Sequence, residues 1–462
     1  MRVLKRSIVG VALASALALA PLAAAAETLS DALVSAYRSS GLLEQRRALL
    51  RAQDEGVAIA VAATRPAFNY ALSGNWRMTE TTLATVTAAT AAATLSSSLT
   101  IYDFGRSQLN IDLARENVMM ARDTLVSVEQ QVLLRAVSAF LDVRSAHETA
   151  MLQANNVRVI TEELRAARDR FEVGEITQTD VSLAEAALAA ARSSEAAARG
   201  QLMIAREEYK AAVGHYPNGL QVPPAAPMTA RSLDEAKSLA RTRHPDVLSA
   251  QRSVKVAEIS TEIARRGMYP TVTANTSVAR NFVSGPDNTT ASVGVSVSGP
   301  IYQGGRLSAL YRQARAQVEA SRAALHVSVQ GVEQSVANAW AQLAVATASL
   351  QATDQQIRAS TVALRGAREE ATLGARTTLE VLTFEQDLLD AQANRITAQS
   401  NQYLAIYNLL SAMGLLTVEH LKLGIATYDP EAYYNAVKGA PVFDISPQGE
   451  RLDSMLEALG RK

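Results

Sequence analysis

The chain repeats itself, and that repeat limits its fold more than any other feature. Thr28-Leu29-Ser30-Asp31-Ala32 resembles Ser232-Leu233-Asp234-Glu235-Ala236, an offset of 204 that Pro66 and Pro270 keep. From there the offset is 200: Ile101, Tyr102, Gly105 and Arg106 match Ile301, Tyr302, Gly305 and Arg306. Leu164, Arg165, Ala167 and Arg168 match Leu364, Arg365, Ala367 and Arg368. Gly174, Thr177, Val181 and Gly214 match Gly374, Thr377, Val381 and Gly414. One four-residue indel between Pro66 and Ile101 reconciles the halves. Such self-similarity means two copies of one structural unit.

Each unit opens with a helical segment, Leu29 to Ala63 or Leu233 to Arg266, interrupted near Gly41 and at His244-Pro245. Two alternating segments follow. Phe68, Tyr70, Leu72 and Trp76 share one face, and Asn69, Ala71, Ser73 and Asn75 the other. In the return segment Ala93, Leu95, Leu99 and Ile101 oppose Thr94, Ser96, Ser98 and Thr100. In the second unit Val272, Ala274 and Val278 oppose Thr271, Thr273, Asn275 and Ser277, and Ala291, Val293, Val295 and Val297 oppose Ser292, Gly294, Ser296 and Ser298. Period-two alternation predicts strands with one apolar face.

These strands run to about 12 residues, long enough for the ~9–11 that cross a bilayer at a tilt. Their polar faces carry small Ser, Thr and Asn, as a water-filled lumen would. Tyr102, Tyr269 and Tyr302 sit at one end, and Trp76 and Phe282 toward the other, as interfacial aromatic girdles do. A soluble sandwich alternates equally well, but the chain supplies few other strands. Four strands cannot close a barrel, because the smallest bacterial barrels have about eight. An open sheet edge in lipid leaves backbone groups unsatisfied at several kcal/mol each. The chain must therefore oligomerise, and the strand arithmetic admits two copies or three.

Arg106 to Val173 contains neither proline nor glycine. At 1.5 Å per residue it makes a rod of roughly 100 Å. Its counterpart, Arg306 to Leu373, is expected to break at Gly331 and Gly366. Gly174 and Gly374 are natural helix stops, and Thr179-Asp180 a natural N-cap for the return helix. No strict seven-residue repeat is sustained, which argues against a free coiled coil.

Arg2, Lys5 and Arg6 precede an apolar stretch from Ser7 to Leu22, then Ala23-Ala24-Ala25-Ala26-Glu27. This pattern predicts a signal peptide cleaved after Ala26. Lys+Arg and Asp+Glu balance at 45 each, giving no basic surplus for nucleic acid. The absence of cysteine excludes disulfides, thiol catalysis and an N-terminal lipid-modified Cys. His147, His215, His244, His326 and His420 are scattered, so no metal site, cofactor or catalytic constellation is expected.

Three local motifs resemble the TolC family of outer-membrane efflux and secretion proteins. Phe171-Glu172-Val173-Gly174 with Thr179-Asp180-Val181 resembles the family's first periplasmic turn. Leu373-Gly374-Ala375-Arg376-Thr377 with Glu380-Val381-Leu382 resembles the second. Gly299-Pro300-Ile301-Tyr302-Gln303-Gly304-Gly305-Arg306 resembles the barrel-to-helix junction, with Gly105-Arg106 in the other copy. The resemblance spans Leu29 to Leu416. It implies a mixed α and β membrane protein, a homotrimer whose four strands per chain build a 12-stranded β-barrel that continues into a 12-helix periplasmic α-barrel. The partners implied are a periplasmic adaptor (membrane fusion) protein, an inner-membrane ABC or RND pump and outer-membrane lipid.

The resulting organisation is a signal peptide at 1–26, a first repeat at 27–218, a linker at 219–230, a second repeat at 231–416 and a tail at 417–462. Strands are expected at about 66–78, 92–103, 270–282 and 290–302, long helices at about 106–173 and 306–373, and return helices at about 180–213 and 379–413. The tail, with Pro430, Pro441 and Pro447 among polar residues, is expected to be loosely ordered. Val173, Gly174, Leu373 and Gly374 are the expected adaptor-docking tips. By resemblance Thr179 and Asp180 lock neighbouring helix pairs, Arg376 is their cationic partner, and Glu380 lines an acidic entrance. Ala371 stands where the family's best-known member has an aromatic hydroxyl, and Thr383 where it has a second acid. The expected function is an export duct for type I protein secretion or drug efflux, with the missing lipid anchor and the tail leaning toward secretion. The alternatives are a passive diffusion porin and a structural envelope protein, but porins join strands by short periplasmic turns rather than long rods.

Overall fold

The structure is a computed structural model. It describes residues 26–80, 82, 85–224, 230–283, 288–442 and 454. Of the expected signal peptide only Ala26 is described, and part of the expected linker and most of the tail beyond 442 lie outside the described residues.

Each repeat runs helix, helix, strand, strand, long helix, return helix. In the first repeat these are α1 (Leu29–Ser39), α2 (Gly41–Ala62), β1 (Ala67–Glu80), β2 (Thr85–Tyr102), α3 (Arg106–Glu172) and α4 (Gln178–Val213). In the second they are α5 (Leu233–Arg243), α6 (Pro245–Arg266), β3 (Thr271–Val283), β4 (Asn288–Ser298), α7 (Arg306–Thr372) and α8 (Thr378–Ala412), and α9 (Pro430–Val437) follows. The break between α5 and α6 is at His244, which caps both helices, with Pro245 at the first helical position where its missing N–H costs nothing.

Three boundaries differ from the sequence expectation. β2 starts at Thr85 rather than near 92, because the Ala-rich stretch pairs fully with β1 out to Glu80↔Thr85. β4 ends at Ser298, before Gly299-Pro300, so Ile301 and Tyr302 lie past the strand. α7 is continuous: Gly331 and Gly366 stay helical, and a Cβ at either would meet nothing within 4 Å. A glycine inside a helix costs only about 1 kcal/mol relative to alanine, which a 67-residue helix absorbs.

The contact pattern divides the chain into two compact units, each drawn from both repeats. One takes the described residues within 1–40, 132–228 and 339–409. Near the turns, Ile160, Leu164 and Ala167 of α3 pack on Val181, Ala184, Leu188 and Ala191 of α4. The spacing of three and four puts each set on one helix face. The repeat is carried into the packing. Leu164, Ala167 and Val181 are 6%, 3% and 5% exposed, and Leu364, Ala367 and Val381 have the same values.

The other unit takes the described residues within 41–131, 229–338 and 410–462. It holds one antiparallel sheet in the order β1-β2-β3-β4. The register sorts the faces. Tyr70, Leu95, Val278 and Ala291 form one row, and Asn69, Ser96, Ser277 and Ser292 another on the opposite face. Hydroxyl pairs Thr273–Ser296 and Ser277–Ser292, each 2.8 Å, tie β3 to β4 on the polar face. The apolar face is open, with Phe68 at 74%, Tyr70 at 82% and Val293 at 85% exposure. β1 and β4 are the sheet's two edges.

The tail corrects the sequence expectation, since its described part is ordered. Leu416 and Val418 are buried, and the amide of Val418 donates to Glu129 at 2.7 Å. Asp429 caps α9 with Pro430 at its first turn. Arg122 of α3 donates to the Pro430 carbonyl at 3.2 Å and lies over the Tyr434 ring, while Tyr433 donates to Glu55 of α2 at 2.8 Å. The prolines read as disorder because the aromatic and capping partners that order this segment lie hundreds of residues away in sequence. Beneath it, Asp54 of α2 is 0% exposed, and neither carboxylate oxygen has a hydrogen-bond partner among the described residues. Burial pushes its carboxyl up to about 6, against the opposing pull of Arg122 and with a further push from Glu55.

Candidate functional site

The two helix–helix turns carry the expected tips. Both are Schellman motifs. At the first, the Gly174 amide donates to Phe171 O at 3.0 Å and the Glu175 amide to Arg170 O at 2.9 Å. At the second, Gly374 donates to Ala371 O at 3.2 Å and Ala375 to Glu370 O at 2.9 Å. Gly174 has φ +79 and Gly374 φ +74, the left-handed conformation that a Cβ disfavours. Beside them Val173 is 71% and Leu373 84% exposed, so each tip presents an apolar side chain to solvent.

The return helices start at Gln178 and Thr378, two residues and one residue earlier than the sequence suggests. The N-cap of α4 is Thr177, not the Thr179-Asp180 pair, and Asp180 occupies the third helical position of a capping box. The Thr177 amide and hydroxyl donate to Asp180 Oδ2 at 2.9 and 2.7 Å. Those bonds, the hydroxyl's first, hold the Asp180 carboxyl below the usual carboxylate range. Thr179 is exposed. The second repeat copies the device: Thr377 amide and hydroxyl donate to Glu380 Oε2 at 2.9 and 3.0 Å. The amide bond, then the hydroxyl bond, lower the Glu380 pKa, and nearby Arg376 adds to the effect. The missed signal is Thr-x-x-Asp/Glu, a capping box in both repeats.

Arg376 is engaged within its own hairpin. It pairs with Glu370 and lies 3.4 Å from Glu380, with its guanidinium 5.4 Å from the Phe384 ring centre. One turn further in, Arg368 of α7 pairs with Glu385 of α8 and reaches Glu163 of α3 at 3.2 Å. Burial raises the Glu385 pKa despite Arg368. The first repeat keeps only half of this cluster: Arg168 meets Glu185 at 2.6 Å. Glu163, Ala167, Arg170, Arg368, Ala371 and Val381 help to line a crevice of about 330 Å³.

The first strand-to-helix junction is pinned by Asp103, which the sequence reading missed. It accepts from the amides of Gly105 at 3.0 Å and Ser107 at 2.7 Å, at the start of α3. Burial opposes its charge, but the Ser107 and Gly105 bonds and the Arg106 charge outweigh that and hold its carboxyl below the usual range. Gly105, φ +77, leaves room for Arg266, which donates to Phe104 O at 2.8 Å. In the second repeat Gln303 replaces Asp103 and accepts from Arg306 at 2.6 Å, beside Gly305 at φ +83. At the end of β2, Phe104 stacks on Tyr269 at 5.0 Å between ring centres and lies tilted against Tyr102 at 4.8 Å. Among the described residues no group of three or more His, Cys, Asp or Glu is placed to hold a metal ion, and no helix is long and apolar enough to cross a membrane.

Three comparisons bear on this arrangement. The family model described as "Outer membrane efflux protein" matches residues 32–215 and 237–415, one stretch per repeat. The chain is 36% identical over 421 residues to the outer membrane efflux protein BepC of Brucella suis biovar 1 (strain 1330), covering 90% of this chain and 91% of that protein. It is 24% identical over 323 residues to the outer membrane protein TolC of Vibrio cholerae serotype O1, covering 67% and 74%. The fold is similar to crystal structures of CusC, with a TM-score of 0.75 at 17% identity, covering 83% of this chain and 91% of that one.

Proposed function

This chain belongs to the outer membrane efflux protein family, and from that premise we propose that three copies form one continuous duct through the outer membrane and into the periplasm. It is an outer-membrane transport protein, not an enzyme. The observation that carries the oligomer is the open sheet, four strands with β1 and β4 as free edges and an exposed apolar face, and membership of the family supports three copies rather than two. In lipid those edges must pair, and three copies joined β1 to β4 close a barrel of twelve strands, four from each chain. The uncharged hydroxyl rows of the polar face then line water, and the aromatic face meets lipid.

The 67-residue α3 and α7, roughly 100 Å each by helical rise, are long enough to extend the duct toward an inner-membrane pump. The exposed Val173-Gly174 and Leu373-Gly374 tips suit docking on a periplasmic adaptor, where glycine allows close backbone approach. Asp180, Arg376 and Glu380 are assigned to the entrance, with Thr179 beside them. Each is half-exposed or exposed and sits within one turn of a tip. Native mass measurement in detergent tests the assembly: three chains are expected, and a stable monomer inserted in lipid would overturn it. Cross-linking in cells, followed by identification of the trapped proteins, tests the pump and the adaptor.

A further inference from the structure

Glu27 is held on every side. Its amide nitrogen lies 3.0 Å from the Gly219 carbonyl oxygen and 3.4 Å from that of Asn218, and its own carbonyl accepts from the Gln221 amide at 3.0 Å. Its side chain is 9% exposed and accepts from the Tyr209 hydroxyl at 2.6 Å. His215 Nε2 stands 3.3 Å from the same oxygen, and its ring stacks on Tyr209. One amide hydrogen is shared between two carbonyls. The carboxylate beside it is buried, and a buried charge favours a close counter-ion. Asp31 adds a second negative charge in range of Tyr209, whose phenol is held protonated by burial and by the Glu27 carboxylate.

We propose that, with the leader cleaved after Ala26 as the sequence pattern predicts, the amine released on Glu27 becomes a buried structural ammonium held by the carbonyls of Asn218 and Gly219. Water adds across the amide and the C–N bond breaks. Ala26 leaves with the new carboxylate, and the Glu27 nitrogen takes up protons to become –NH₃⁺. Ala24 and Ala26 supply the small residues that a leader peptidase requires. The ammonium has three hydrogens for the carbonyls and neighbouring solvent. With an ordinary pKa near 7.7–8.0, it brings a positive charge to the residue that carries the buried carboxylate. Maturation thus completes the joint between the chain start and the segment after α4.

The test uses mature protein extracted from membranes. Peptide mass mapping should find the chain starting at Glu27. Acylation of that amine at pH 8 should run about tenfold or more slower in folded than in unfolded protein, since reaction then requires local opening. A start at another residue, or equal rates, overturns the proposal. Inserting Ser-Gly after Ala26 returns the Glu27 nitrogen to an amide, and this variant should unfold at lower temperature than wild type. Adding Glu27→Gln to it should then cost less than the same change does in wild type. An extended chain that melts with wild type also overturns the proposal. If the extended chain fails to assemble, the labelling of wild type decides.

Discussion

Replacing Asp54 by Asn should stabilise the protein at neutral pH and not at pH 4. Asp54 is fully buried, both oxygens lack hydrogen-bond partners among the described residues, and its carboxyl rises from 3.8 to about 6. The folded state therefore binds a proton that the unfolded state has already released between those two values. Stability from this group is complete below 3.8 and is lost as pH rises through about 6. A shift of roughly two units at about 1.36 kcal/mol each amounts to about 3 kcal/mol. For a chain of 462 residues, an unfolding entropy of about 2.1 cal/mol/K per residue makes 1 kcal/mol worth roughly 1 °C. The melting temperature of Asp54→Asn minus that of wild type, followed by far-UV circular dichroism in detergent, should thus grow by about 3 °C between pH 4 and pH 7.5. A difference that stays constant over that range would refute a buried, poorly compensated carboxylate at this position.

Leucine at both Gly174 and Gly374 should abolish export while trimers persist on gels, because φ near +75 costs a non-glycine residue only about 1–2 kcal/mol and a Cβ there meets nothing within 4 Å. Asparagine, which tolerates that conformation, should retain export, and normal export from the leucine pair would remove the docking role. In planar bilayers Asp180→Ala or Arg376→Ser should raise the resting single-channel conductance, and Glu380→Ala should weaken cation selectivity and block by multivalent cations. Wild-type values for all three would end the entrance assignment. Arg122→Ala strips α9 of its ring contact and carbonyl bond. Trypsin should then cut the tail at Lys422 or Lys438 about tenfold faster, as loss of one charged hydrogen bond worth ~1.5–3 kcal/mol implies, and unchanged rates would place the docking energy elsewhere.

Features written in local pattern were legible in the sequence. The repeat, the four alternating segments, the long helices and the glycine turns depend on residues a few positions apart. Period two, period 3.6 and a left-handed glycine are local properties of the backbone. The capping boxes Thr177–Asp180 and Thr377–Glu380 were equally local, and the Thr-x-x-acid signal was there to be read. What the sequence left open depends on partners far apart in the chain. Register decided that Ser96 faces Ser277 while Leu95 faces Val278. Tertiary packing ordered a proline-bearing tail through Arg122 and Glu55, and buried Asp54 beneath it. It also brought Glu27 to Tyr209, 182 positions along the chain. Composition cannot foretell such meetings, because a charged residue's surroundings are set by which helices pack together, and that is a property of the whole fold.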